Sequence, residues 1–144
     1  MPYEFHQTRR VEFADTDLAG IVHFANFFRY MESTEHAFLR SLGLTVHDET
    51  GGSLVGWPRV HAECSYTSPL MFEDEVDVHL LVRQKKRRTI TYEFRFFKGG
   101  QDKPVARGAL TVACVTRNAA GRLVSIDIPE RIHQLIEVAP TELL

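Results

Sequence analysis

Ala14-Asp15-Thr16-Asp17-Leu18-Ala19-Gly20-Ile21-Val22-His23-Phe24 is the stretch on which the reading of this chain turns. Two carboxylates, Asp15 and Asp17, stand one residue apart where a strand-like run ends. A glycine follows three residues after the second, and then a long helical pattern begins. Upstream, residues 3–13 read as a strand, with Val11 and Phe13 on one face and Arg10 and Glu12 on the other. Downstream, Phe27, Met31, Thr34, Phe38 and Leu42 recur at spacings of four, three, four and four, which predicts an amphipathic helix over 26–42. Asn26 is its expected N-cap, Gly43 its C′ stop, and Arg40 a cation opposing the dipole in the last turn. Phe27, Phe28, Tyr30 and Phe38 make this helix bulky, so it should be the main core element and lie against a sheet.

Beyond the helix the period changes from helical to alternating. Residues 60–67 alternate and stop at Ser68-Pro69. Over 76–82, Val76, Val78, Leu80 and Val82 alternate with Asp77, His79 and Leu81. A strand over 89–97 ends at the turn Lys98-Gly99-Gly100-Gln101-Asp102. Another is predicted over 105–116, followed by the turn Asn118-Ala119-Ala120-Gly121, and Pro129 opens a short terminal helix through 136. No repeat, linker or low-complexity tract interrupts this order. Strand, long helix and then several antiparallel strands predict an α+β domain, and residues 1–144 are expected to form one domain.

Composition narrows the function classes. The 144 residues suffice for a real core, since a chain of this size buries roughly 68–70% of its unfolded surface. With 17 basic and 19 acidic residues the net charge is −2, so no overall field favours nucleic acid or an anionic membrane. Cys64 and Cys114 lie fifty positions apart without a CxxC spacing and suit a reducing compartment as small core residues. No run approaches 18 apolar residues and the N-terminus has no signal-like region, so a cytoplasmic location without membrane insertion is expected.

Asp15-Thr16-Asp17 followed by Gly20, Val22, Asn26 and Glu32 resembles the signature of the hotdog-fold acyl-CoA thioesterases. The nearest groups are the 4-hydroxybenzoyl-CoA thioesterase family and the short-chain acyl-CoA thioesterases associated with the Tol–Pal system. The resemblance spans nearly the whole chain, because the helix, the Pro69 turn and the later strands fall in the expected order. It implies an antiparallel sheet wrapped around one long central helix. It also implies homodimers or homotetramers with the site at a subunit interface, and hydrolysis of a small aryl- or short-chain acyl-CoA thioester.

On that resemblance Asp17 is the catalytic residue, as nucleophile or as general base on water. The backbone N–H at the helix start near Phe24 polarises the thioester carbonyl, aided by the helix dipole. Gly20 allows close backbone approach and unusual φ/ψ. His23 is placed at the site either to orient substrate and move a proton or to wall the acyl pocket. Val22, Asn26 and Phe27 are expected to contact substrate. Glu32 matches an acidic position that reaches the site only across a subunit interface, with a solvated helix charge as the plainer reading. Lys86, Arg87 and Arg88, within the run starting at Lys85, are expected either to bind coenzyme A phosphates or to form a solvated hairpin end. Asp15 is expected to be structural, as Asp commonly is in turns. The family often has Tyr at Phe27, and its short-chain subgroup often has His at Phe24; both departures make the pocket less polar.

No metal or redox cofactor is implied, coenzyme A being part of the substrate. There is no GxSxG, GxGxxG, Walker loop or HExxH. His61-Ala62-Glu63 lacks the PCxxC partner of a zinc deaminase, and one four-residue basic run is a small footprint for nucleic acid. Two alternatives remain: a hotdog dehydratase or hydratase using His23 and Glu32, and a non-catalytic acyl-CoA or acyl-carrier binding module.

Overall fold

Residues 1–48 and 54–144 are described by a computed structural model. Strand β1 (Glu4–Arg10) ends three residues short of the pattern's limit. The reason is local: Phe13–Asp15 closes a 3₁₀ turn in which the Glu12 N–H donates to Asp15 Oδ2 at 2.9 Å. Phe13 is thereby left 77% exposed rather than on a strand face. Helix α1 (Asn26–Ser41) corrects the capping assignment, since Ala25 is its cap residue and Asn26 is already helical. Its far end is as expected. Gly43 has φ +79°, its N–H donates to Arg40 O at 3.0 Å, and the Leu44 N–H donates to Leu39 O at 2.8 Å. That pair of bonds is a Schellman stop, and a left-handed residue there favours glycine.

The remaining strands are β2 (His47–Asp48), β3 (Val55–Gly56), β4 (Arg59–Tyr66), β5 (Glu75–Lys85), β6 (Thr89–Lys98), β7 (Ala106–Ala113), β8 (Val115–Arg117) and β9 (Leu123–Ser125). Helix α2 (Glu130–Leu135) follows, capped by Pro129. The single strand predicted over 105–116 is two strands. β7 pairs with β4 and β6, whereas β8 pairs with β3 and β9 in a second small sheet. The two- and three-residue strands β2 and β9 are too short to show a period in sequence.

Five strands form an antiparallel sheet in the order β1-β5-β6-β7-β4. Its apolar rows are dry: Val76, Val78, Leu80 and Val82 are fully buried on β5, and Ile90, Phe94 and Phe96 on β6. Helix α1 touches both edges and the middle of this sheet. Thr34 Oγ1 donates to Gln7 Oε1 on β1 at 2.9 Å, the Phe38 ring lies 6.1 Å from Tyr92 on β6, and Arg59 on β4 binds Glu35. One helix reaching both edge strands requires a sheet curled around it, which is the architecture the resemblance implied. Helix and sheet pack tightly at Gly108, where an added Cβ would clash with the Met31 side chain and lie 3.1 Å from Glu63 O.

On the outer face Phe97 is half-buried and Leu81 fully buried. The C-terminal segment packs beside it, donating the Ala139 N–H to Val82 O at 2.8 Å. Cys114 is buried and Cys64 half-buried, and both thiols are free. No helix among the described residues is long and apolar enough to cross a membrane.

His36 on α1 is half-buried, and burial lowers its pKa below the ordinary 6.5, with Glu32 opposing the shift. A depressed histidine pKa contributes stability that is present above the unfolded value and lost as pH falls through the folded one. The melting temperature should therefore decline as pH drops below about 6.5, and His36→Gln should flatten that decline. An unchanged slope in the variant would remove His36 from the explanation.

Candidate active site

The loop from Asp15 to Phe24 is a tight hairpin-like turn. The Asp17 N–H donates to Ile21 O at 2.9 Å, and the Gly20 N–H donates to Asp17 O at 2.9 Å. Thr16 bridges Val22, and Ile21 bridges Met71 on the neighbouring loop. Gly20 has φ +84° with nothing within 4 Å of a would-be Cβ. The left-handed φ alone accounts for a glycine at this position. Asp17 Oδ1 accepts the Ala19 N–H at 2.9 Å, which orients the carboxylate from within its own turn.

Asp15 serves the scaffold. Its Oδ2 accepts both the Glu12 N–H and, at 2.8 Å, the Tyr30 hydroxyl, while its carbonyl takes the His23 N–H and Asn26 Nδ2. Asn26 thus spends its side chain tying α1 to the Asp loop. It neither caps the helix nor lines the cavity described below.

The start of α1 has one notable vacancy. The N–H groups of Asn26, Phe27 and Phe28 donate to the carbonyls of His23, Phe24 and Ala25, and the Ala25 N–H donates to His23 Nδ1 at 3.2 Å. Among the described residues, the Phe24 N–H alone in this run has no acceptor. An unsatisfied N–H at the positive end of a sixteen-residue helix suits a developing oxyanion. The Phe24 carbonyl is held from the other side, accepting the Tyr66 hydroxyl at 2.9 Å. Partial burial and the neighbouring Cys64 push the Tyr66 phenol up to about 12, so it stays protonated and donates at neutral pH.

Asp17 and Phe24 open onto one cavity of about 440 Å³, which Val22, Phe27, Tyr66 and Pro69 also line. Phe27 is buried, and its ring lies 5.0 Å from Tyr66 and 5.2 Å from Phe96, edge-on to both. Phe24, Phe27 and Tyr66 thus supply aromatic walls beside aliphatic Ile21, Val22 and Pro69, with the Asp17 carboxylate as the charged group. A cavity of this size fits a small acyl group.

The other expected residues fall elsewhere. His23 is exposed and stacks on Phe24 at 4.6 Å without lining the cavity. Glu32 is exposed, with Oε2 3.5 Å from Arg59 Nη2. Lys86, Arg87 and Arg88 lie at the β5–β6 hairpin, and Arg87 and Arg88 both pair with Asp127, whose carboxyl they hold below its usual range. Strand register puts that hairpin at the wrong end of the sheet for a site within one chain. Tyr66 pairs with Ala106, which pairs in turn with Phe96, whereas Arg59 pairs with Val112, which pairs in turn with Ile90. Six residues separate Ile90 from Phe96, or about 20 Å at strand rise. Sequence reading missed Tyr66, Thr67 and Ser68 as cavity residues, although the Ser68-Pro69 stop marked the loop they occupy.

A model of the thioesterase-like superfamily matches residues 11–136. The chain belongs to that superfamily. A protein of Aquifex aeolicus (strain VF5), provisionally named an esterase, is 36% identical over 139 residues, 95% of this chain and 99% of that one. A 1,4-dihydroxy-2-naphthoyl-CoA hydrolase of Gloeothece citriformis (strain PCC 7424) is 31% identical over 103 residues, 72% of each chain. The solved structure of a gentisyl-coenzyme A thioesterase is 28% identical with a TM-score of 0.78, covering 92% of this chain and all of that one. Family and fold thus agree with the resemblance carried by Asp15 to Glu32.

Proposed function

We propose that this thioesterase hydrolyses small aryl-CoA thioesters, with Asp17 as its reactive carboxylate and the Phe24 N–H as its oxyanion donor. The observation carrying the proposal is that the Asp17 carboxylate and Phe24, with its acceptor-free N–H, line the same aromatic cavity. Membership of the superfamily, with CoA-thioester hydrolases among its relatives, makes the protein an acyl-CoA hydrolase. Aromatic walls suit a flat acyl group, which lies edge-on or offset against Phe24, Phe27 and Tyr66.

In the reaction, oxygen from Asp17 or from a water deprotonated by it adds to the thioester carbonyl. The carbonyl oxygen gains negative charge and takes the Phe24 N–H. Collapse breaks the C–S bond and expels the CoA thiolate, a leaving group that needs little acid assistance. If Asp17 attacks directly, water then opens the anhydride; both routes give the free acid and coenzyme A and require no cofactor. Turnover in heavy-oxygen water with stoichiometric enzyme separates the routes, because only direct attack transfers an Asp17 oxygen to the first product.

The edge strand supports a dimer. Among the described residues β4 pairs only with β7, and it carries exposed residues along most of its length, including Val60. An unpaired edge of this kind invites a second copy. Antiparallel pairing of two β4 strands sets the Tyr66 end of one against the Arg59 end of the other. It thereby brings the Lys86–Arg88 hairpin of the second copy towards the cavity of the first. On this reading the homodimer, alone or paired into a tetramer, supplies the cations for coenzyme A phosphates. The free thiols of Cys64 and Cys114 support a cytoplasmic location.

Two variants test the parts. Charge removal at Arg87 and Arg88 should raise KM for CoA esters more than for truncated pantetheine esters, which lack the nucleotide phosphates; equal effects would return the hairpin to a surface role. Tyr66→Phe should lower kcat about tenfold, the worth of one hydrogen bond in the reacting geometry, while melting changes little. A wild-type kcat in that variant would show that the Phe24 peptide needs no such support. The substrate class is tested by free-thiol release from a panel of aryl and aliphatic CoA esters. Aryl esters should give the higher kcat/KM, and a preference for short aliphatic chains would overturn the assignment.

A further inference from the structure

On the outer face of the sheet, away from α1 and the cavity, β1 and β5 place two histidines directly opposite each other, His6 against His79. Glu4 lies two residues before His6 on the same face, diagonal to His79, and Asp77 lies two residues before His79. Glu4 Oε2 is 2.8 Å from His79 Nε2, and Asp77 Oδ2 is 3.0 Å from His6 Nδ1. The two rings stack with centroids 3.9 Å apart and planes 11° apart. One ligand atom from each of Glu4, His6 and His79 falls within 4.8 Å of the others.

From this arrangement we infer that Glu4, His6 and His79 form a binding site for a divalent transition-metal ion, zinc by preference, that clasps β1 to β5. Two imidazoles and one carboxylate are a donor set that zinc accepts, with water completing a tetrahedron. Asp77 is placed as an outer partner. Its contact with Nδ1 of His6 leaves Nε2 of that ring for the metal, the carboxylate–histidine arrangement found around metal sites. Stacked rings converge on a shared ion by rotation about χ2, a soft torsion for histidine. Zinc binds imidazoles in their neutral form, and both rings present such donors on one sheet face. The facing cation is Arg95, opposite His79 on β6, and it is already neutralised by Glu93 at 2.6 Å and bonded to Leu143 O. The site takes no part in the proposed hydrolysis, which needs no metal. Its effect is structural, since among the described residues β1 is an edge strand and a cross-strand ligand set ties it to its neighbour β5.

The test is calorimetric titration of Zn²⁺ into the full untagged chain after dialysis against chelator. One ion per chain should bind with Kd below about 10 µM, and the melting temperature should rise with zinc. His6→Ala, at a side chain 54% exposed and therefore tolerant of change, should weaken binding by at least about 100-fold, and Asp77→Asn by about 10- to 100-fold. No saturable binding by the wild type, or an unchanged Kd in His6→Ala, would overturn the inference and leave these residues as a cross-strand polar network.

Discussion

Asp17→Asn should abolish most thioester hydrolysis while leaving the fold intact. The substitution keeps an oxygen that accepts the Ala19 N–H, so the turn that Gly20 closes survives. What it removes is the negative charge and the capacity to attack a carbonyl or take a proton from water. General-base catalysis is worth roughly 10²–10⁴-fold, so kcat should fall by that range with little change in melting temperature. Retained binding of acyl-CoA alongside lost turnover would identify the effect as chemical. Near-wild-type hydrolysis would sink the role given to Asp17.

Arg59→Ala should be the most destabilising single change described here. Glu35 on α1 is fully buried, and Arg59 grips both its oxygens, Nη1 to Oε2 at 3.1 Å and Nη2 to Oε1 at 2.5 Å. Burial raises the Glu35 pKa, and Arg59 is what opposes that rise. Truncating the arginine leaves an uncompensated carboxylate in the core, which costs about 3–5 kcal/mol, or roughly 10–20 °C in melting temperature for a chain of this size. A carboxyl whose folded pKa exceeds its unfolded one stabilises the protein below the unfolded value and loses that contribution as pH rises through the folded one. The deficit of Arg59→Ala should therefore shrink on acidification towards the ordinary carboxyl pKa of 4.5. The double variant Glu35→Leu/Arg59→Met should be more stable than Arg59→Ala alone, because it removes the orphaned charge together with its partner. If Arg59→Ala melts with the wild type, the pair contributes nothing that water does not replace.

These two residues differ in how visible they are in the sequence. Asp17, Gly20 and the helix after them lie within one short local segment, where periodicity exposed the helix and the family resemblance drew attention to Asp17 and Gly20. Helix α1 and the alternating rows of β5 and β6 were legible for the same reason, since one buried stripe imposes a period. Glu35 was not singled out, because its partner lies 24 positions away and nothing local distinguishes a buried glutamate from a solvated one. Tyr66 was missed likewise: its hydroxyl meets Phe24 O across 42 positions. Asn26 looked like a cap because such residues favour caps, yet the Asp15 carbonyl offered its side chain a better partner. The Lys86–Arg88 run was legible as charge but not as place, which depends on strand register.

Simultaneous measurement of acyl-CoA binding and free-thiol release by the wild-type protein tests the central claim most directly. With an aryl-CoA ester at saturation, the account predicts many turnovers per chain, each giving one free acid and one coenzyme A thiol. Saturable binding of the ester with no thiol released would contradict it and make the protein a binding module.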